Sequence, residues 1–280
     1  MESRYDQIIN FCRKVSSDAH ADPNVVKVSI SSLAGLGYDI RTFSYEELRA
    51  ACVGLTYTLL YKGMNMIIGE DHRLLWDTIG KYLLEPPSLY FGETDNNPFP
   101  IDYNQFRQLF VAVIKIATGE WELCQLRPIS IWIWPQMPQG LPVDANIVSY
   151  LVYPLLEAVL KETLSSYISR NGEVIQYFQV SDGREYSPTG RSKWCSKVNH
   201  MLDLLDQQTS LVDLRIDLKL IYDHIVFLYG RDARFVIAND WRNPAIHGEN
   251  NIPTAYGVLL NIILLIAMDH VKDGLIKKLH

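Results

Sequence analysis

Ala255-Tyr256-Gly257-Val258-Leu259-Leu260-Asn261-Ile262-Ile263-Leu264-Leu265-Ile266-Ala267-Met268 is the longest apolar run in the chain, interrupted at Asn261. It falls short of the roughly 20 residues that a membrane span needs. As a helix it is apolar on nearly every side, so it must be covered all round. Two coverings fit: its own bundle on one side and a second chain on the other, or a central position in the core of a monomer. Pro253 precedes it, so a helix is expected from Thr254 to the C-terminus. A stretch of this kind is stable only inside a set of amphipathic helices.

Those helices are legible around it. Val212 to Tyr229 is helical and stops at Gly230, and Lys193 to Gln207 presents Val198, Met201, Leu202 and Leu205 on one face. Asn146 to Arg170 reads as a long amphipathic helix, marked by Pro154 and closed by Asn171-Gly172. Further upstream, Ser44-Tyr45-Glu46-Glu47 is a capping box that starts a helix running to about Ile68. Tyr5 to Val15, Leu74 to Leu84 and Tyr103 to Thr118 are helical by the same spacing. Extended structure is expected at Ile129 to Trp134 and at Glu173 to Val180. The prolines at 128, 135, 138 and 142 exclude a helix, and a boundary is placed after Val143. The fold class is therefore all-α with minor β: a helical bundle over 144–280, preceded by a mainly helical region over 1–143.

Composition narrows the function classes. The net charge is −6, with 48% apolar and 21% charged residues. Neither half is a basic nucleic-acid glove, so any RNA contact must come from a local patch. Cys12, Cys52, Cys124 and Cys195 form no paired motif, and no signal-peptide apolar region follows Met1. Reduced thiols and a cytoplasmic location are the expectation, with no membrane partner. No phosphate-binding glycine loop, serine nucleophile elbow or metal-ligand spacing is present, so neither a cofactor nor a metal is expected.

The chemistry gathers in Trp241-Arg242-Asn243-Pro244-Ala245-Ile246-His247-Gly248. Cutting RNA with its own 2′-hydroxyl needs a base, an acid and positive charge for the crowded phosphorane. His247 can move protons near neutral pH, and Arg242 can clamp a phosphate while staying charged. Asn243 can hold a phosphate oxygen or fix the histidine tautomer. It is also placed as the cap of a helix starting at Pro244. The structural alternative is an Arg242 salt bridge to Asp240 or Glu249 and a helix-end hydrogen bond for His247. Spacing alone is weak: Arg13 and His20 make a similar pair without the neighbouring Asn and Gly.

In this motif and its frame the chain resembles the HEPN superfamily, whose small helical bundles carry an R-x(4–6)-H arrangement. Arg242 to His247 has that spacing, followed by Gly248, and the helix with Pro154-Leu155-Leu156-Glu157 resembles the family's frame. The likeness covers roughly residues 145 to 280, as a bundle of four or five helices. It implies a metal-independent endoribonuclease of toxin or phage-defence type, active as a homodimer in which two motifs form one composite site. Arg242 and His247 would be catalytic, Asn243 supportive, and an antitoxin or regulatory protein a partner. The alternative is a non-catalytic interaction or sensor module that dimerises and binds RNA, nucleotide or a regulator.

A second candidate surface is the loop carrying Arg184, Arg191, Lys193 and Lys197, interleaved with Tyr186 and Trp194. Cations along a backbone beside stacking aromatics suit single-stranded RNA, although a solvated loop has the same composition. Glu157 is read as a helix-pairing residue or an acidic accessory, and His200, His224 and His270 as packing residues. Trp132 and Trp134 are expected to pack the seam between the two halves.

Overall fold

The computed structural model describes residues 2–21, 33, 37–60, 70–85, 87–92, 101–118, 143–208, 210–243 and 255–279. The protein is mainly helical. In chain order the helices are α1 (Arg4–Ala21), α2 (Tyr45–Leu59), α3 (Glu70–Leu84), α4 (Ile101–Thr118), α5 (Val143–Thr163) and α6 (Val198–Asp206). They continue with α7 (Val212–Tyr229), α8 (Ala233–Phe235), α9 (Ala255–His270) and α10 (Lys272–Leu279). A single two-stranded antiparallel sheet pairs β1 (Phe178–Gln179) with β2 (Glu185–Tyr186). Among the described residues no helix is long and apolar enough to cross a membrane. The extended segment expected at Ile129 to Trp134, with Trp132 and Trp134, lies outside the described residues.

The expected capping box is present: the Ser44 hydroxyl accepts from the Glu47 N–H, and the Glu47 carboxylate accepts from the Ser44 N–H at 2.8 Å. Two orphan donors at the start of α2 are thereby satisfied. Where α1 crosses α2, Gly54 allows the close approach, since a Cβ there would lie 2.9 Å from Cys12 Sγ. α7 occupies the expected bounds and ends on Gly230 at φ 65°. In this left-handed position the Gly230 N–H donates to the Val226 carbonyl.

α9 is the central core helix. It packs against α2, α3, α5 and α7, and every residue from Ala255 to Met268 is buried. Of the two coverings that fitted the sequence, this is the central position within its own chain. Its one amide is fully engaged: the Trp76 indole N–H donates to Asn261 Oδ1 at 2.7 Å, and Asn261 Nδ2 donates to the Thr56 hydroxyl at 3.0 Å. Thr56 passes its own proton to the Cys52 carbonyl at 2.8 Å. A polar group in so apolar a helix is tolerated because each of these partners is buried and aligned.

Helices from both sides of residue 143 share this core. α5 packs on α4 and α9, and α2 packs on α7. An ion pair ties the two regions together: Arg49 Nε lies 2.6 Å from Asp217, whose other oxygen accepts from the Tyr5 hydroxyl at 2.5 Å. The boundary drawn after Val143 is thus not a gap in the packing.

Several element bounds differ from the sequence expectation: α2 ends at Leu59 rather than near Ile68, because Leu60 is extended, and α6 begins at Val198 rather than Lys193, because Lys197 is extended. α5 stops at Thr163 rather than Arg170, because the chain turns at Leu164–Tyr167 and closes through Gly172 at φ 95°. The segment from Glu173 to Val180 is paired as strand only at Phe178–Gln179; elsewhere it makes isolated bridges. The terminal helix breaks at Val271 into α9 and α10.

Candidate functional site

α8 begins at Asp232, whose side chain accepts from the N–H groups of Arg234 and Phe235. The helix then widens into a π-helical stretch, Val236–Trp241, before Arg242 and Asn243, both helical. π turns are rare and frequently mark functional positions. Here the widening has a visible partner. The Tyr153 hydroxyl of α5 donates to the Ile237 carbonyl at 3.2 Å and ties the stretch to the neighbouring helix. Asn239 bonds back to the Phe235 carbonyl at 3.1 Å, and the Arg242 N–H closes the stretch on Asn239. Pro244, next but one in the sequence, has no N–H to give to the helix.

Arg242 is half-buried, and its Nε is fully buried with no hydrogen-bond partner among the described residues. Its charge lies beside Tyr153: burial pushes the tyrosine hydroxyl up, and the guanidinium pulls it down. The expected alternative, a salt bridge from Arg242 to Asp240, does not form, because Asp240 pairs with Arg231 at 3.4 Å. Trp241 is buried and meets Tyr229 edge-on, with centroids 5.8 Å apart. Asn243 is exposed and helical, which corrects its placement as the cap of a new helix; the cap of this helix is Asp232. Pro244, His247, Gly248 and Glu249 lie outside the described residues.

The basic loop has a separate support. His200 is buried and accepts or donates at 2.6 Å to the Tyr186 hydroxyl, while its other nitrogen lies 3.2 Å from Asp182. Burial lowers the His200 pKa, against the pull of Asp182. This pinned strand pair displays Arg184, whose guanidinium lies 5.5 Å from the Tyr186 ring centre. Arg191, Lys193, Trp194 and Lys197 are all exposed. A bridge between Glu173 and Trp194 sets the tryptophan beside the outward positions of the preceding segment, where Ile175 and Tyr177 are also about half-exposed. The loop is therefore an aromatic and basic surface, not only a charged one. The alternation of Glu173, Ile175 and Tyr177 was the available signal, but in sequence either face of the segment could be the buried one.

The structure does not join this surface to Arg242. No hydrogen bond or ion pair links the two groups among the described residues.

The other candidates are accounted for locally. Glu157 pairs with Lys161 at 2.7 Å, His224 packs edge-on against Tyr57, and His270 lies against the Tyr90 ring. Cys12, Cys52 and Cys195 are free and buried. Among the described residues no cluster of His, Cys, Asp and Glu has a metal-holding arrangement. Tyr153 is the residue that sequence reading missed. Nothing in its helical spacing distinguishes a hydroxyl aimed at a distant carbonyl from one more core aromatic.

Compared with known proteins, the chain matches no protein-family model, no curated protein and no solved structure.

Proposed function

We propose that this protein is a metal-independent endoribonuclease of toxin or phage-defence type, cleaving RNA at a composite site built from two copies of the Arg242–His247 motif. The observation that carries the reading is the state of Arg242. It ends a braced π turn, has a buried Nε without a partner, and forms no ion pair among the described residues. A guanidinium that no described carboxylate pairs can clamp a phosphate with its planar fork.

In the proposed reaction one His247 takes the proton of the RNA 2′-hydroxyl as that oxygen attacks phosphorus. A His247 from the second protomer gives a proton to the departing 5′-oxygen. The P–O5′ bond breaks, leaving a 2′,3′-cyclic phosphate and a 5′-hydroxyl. Arg242 and Asn243 hold the non-bridging oxygens as charge builds up. Arg184, Arg191, Lys193, Lys197 and Trp194 bind the strand away from the cut, with Trp194 stacking on a base.

The test is cleavage of a mixed single-stranded RNA pool in the presence of EDTA. Wild type is expected to produce cyclic-phosphate ends, and Arg242→Ala and His247→Ala to lower the rate by at least about a hundredfold. Equal activity in wild type and His247→Ala would sink the reading. The exposed Ile175, Tyr177 and Trp194 beside the loop cations favour one second reading, an RNA-binding module without cleavage. It predicts RNA retention lost in Trp194→Ala, with intact RNA ends throughout.

A further inference from the structure

Beyond α5 the chain returns on itself and sets Glu173 opposite Trp194 in an antiparallel bridge. The Val174 N–H donates to the Lys193 carbonyl at 2.9 Å, and the Cys195 N–H donates to the Gly172 carbonyl at 2.8 Å. These bonds flank the pair rather than join it, so Glu173 and Trp194 are a non-hydrogen-bonded pair. That is the closer of the two kinds, with Cα atoms roughly 4.5 Å apart and both side chains on one face. The face is the outer one: Val174 and Cys195, the next residue on each side, are buried, while Glu173, Ile175 and Trp194 are exposed.

Ile175 is the diagonal neighbour of Trp194 on that face, and diagonal side chains stand roughly 7–8 Å apart. Successive bases of a strand are spaced by roughly 3.4 Å, so one base inserted between two side chains needs close to twice that. The Trp194 indole and the Ile175 side chain, each about half-exposed, therefore bound a slot one base thick. The Glu173 carboxylate stands at the side of this slot and makes no hydrogen bond or ion pair with any described residue.

An ionised carboxylate only accepts hydrogen bonds. On its Watson–Crick edge guanine presents two adjacent donors, N1–H and the N2 amine. Adenine and cytosine each set one amino donor beside a ring-nitrogen acceptor, and uracil sets its single N–H between two carbonyl oxygens. Guanine alone gives a carboxylate two parallel bonds with no opposing lone pair. The same charge repels a phosphate, so Glu173 suits a base edge and not the backbone. Phosphates of the strand are left to Arg191, Lys193 and Lys197, all exposed in the same loop.

We infer that Trp194, Ile175 and Glu173 form a guanine-binding slot, in which a guanine of single-stranded RNA inserts between Trp194 and Ile175 and donates its N1–H and N2–H to the Glu173 carboxylate. The inference rests on the reading of this loop as the RNA-binding surface and names the base it selects. Its readout is binding, so it stands or falls apart from cleavage at Arg242 and His247.

Fluorescence anisotropy with the full chain and labelled 2′-O-methyl hexanucleotides provides the test. These strands lack the attacking 2′-hydroxyl and stay whole, whatever the chain does to RNA. UUGUUU is expected to bind at least about tenfold tighter than UUAUUU, UUCUUU or UUUUUU, the discrimination of one bidentate contact. Inosine in place of guanine lacks the N2 amine and should bind at an intermediate affinity. Glu173→Gln should bring the guanine, cytosine and uracil strands to within about threefold of one another without weakening the all-uracil strand. Trp194→Ala should weaken the guanine strand at least about tenfold. Both side chains are exposed, and circular dichroism reports whether the helices are retained. No binding of UUGUUU by wild type at about 100 μM overturns the inference. So does equal binding of the four strands, or a guanine preference that survives Glu173→Gln. Guanine-selective binding by a chain that leaves an RNA pool intact supports the slot and sinks the nuclease; cleavage without guanine selectivity does the reverse.

Discussion

Asp217 shows how one carboxylate can join distant parts of the chain. It is fully buried on α7, accepts from Arg49 of α2 and Tyr5 of α1, and has no exposure to water. Burial pushes its carboxyl above the ordinary range, opposed first by Arg49 and then by the Tyr5 hydroxyl. Both contacts come from donors, so the ionised acid is the partner that satisfies them. Asp217→Asn would keep the shape and leave Arg49 with the Asp213 carbonyl, to which Nη2 donates at 3.0 Å, and the looser Asp213 carboxylate at 3.6 Å. The expected loss is about 3 kcal/mol, because an uncompensated buried charge remains. Urea unfolding measures it; a loss under about 1 kcal/mol would mean that Asp213 takes over the pair. The sequence marked neither residue, since pairing across more than 160 positions leaves no local pattern. By contrast Ser44 and Glu47 lie three residues apart, and their mutual capping was legible from spacing alone.

Among elements, helix existence was readable and helix contact was not. The stripes on α2, α4, α6 and α7 follow from a period of 3.6, and the capping box and Gly230 fixed two of the ends. The crossing of α1 over α2 depends instead on Gly54 having no side chain. Alanine is the better helix former by about 1 kcal/mol, so Gly54→Ala should stabilise an isolated helix. In this fold its Cβ would lie 2.9 Å from Cys12 Sγ and 3.1 Å from Cys12 Cβ, so a net destabilisation of about 1–3 kcal/mol is expected. Cys12→Ala removes the sulfur but keeps the Cβ at 3.1 Å, so Gly54→Ala should be clearly less destabilising in that background. Thermal unfolding of the four proteins closes the cycle, and additive effects would refute the steric account. The π stretch before Arg242 belongs to the same scale. It involves Tyr153 of α5, more than 80 residues away, and so was hidden from any local pattern.

At the scale of the molecule, charges on α6, α7 and α8 set a pH response. Burial pushes the Asp206 carboxyl up to about 6, with Arg234 opposing and Asp203 adding to the rise. Between about pH 4 and 6 the folded chain then holds a proton at Asp206 that the unfolded chain has lost, so this group's contribution to stability falls as pH rises through that window. Asp206→Asn should remove the loss and stabilise the protein at pH 7 by about 1–3 kcal/mol, with little effect at pH 4. Denaturation midpoints of dilute protein at the two pH values provide the check, and an equal shift at both would contradict it. By itself the sequence determined the all-helical class, the position of most helices, the need to cover Ala255 to Met268 on every side, and the motif around Arg242. Periodicity, capping and composition are local, and they survive in a linear string. Only the tertiary structure decided that α9 is covered by its own chain and that Asp240 turns to Arg231 and leaves Arg242 without it. Each of these is a competition between partners far apart in sequence, and packing alone selects the winner.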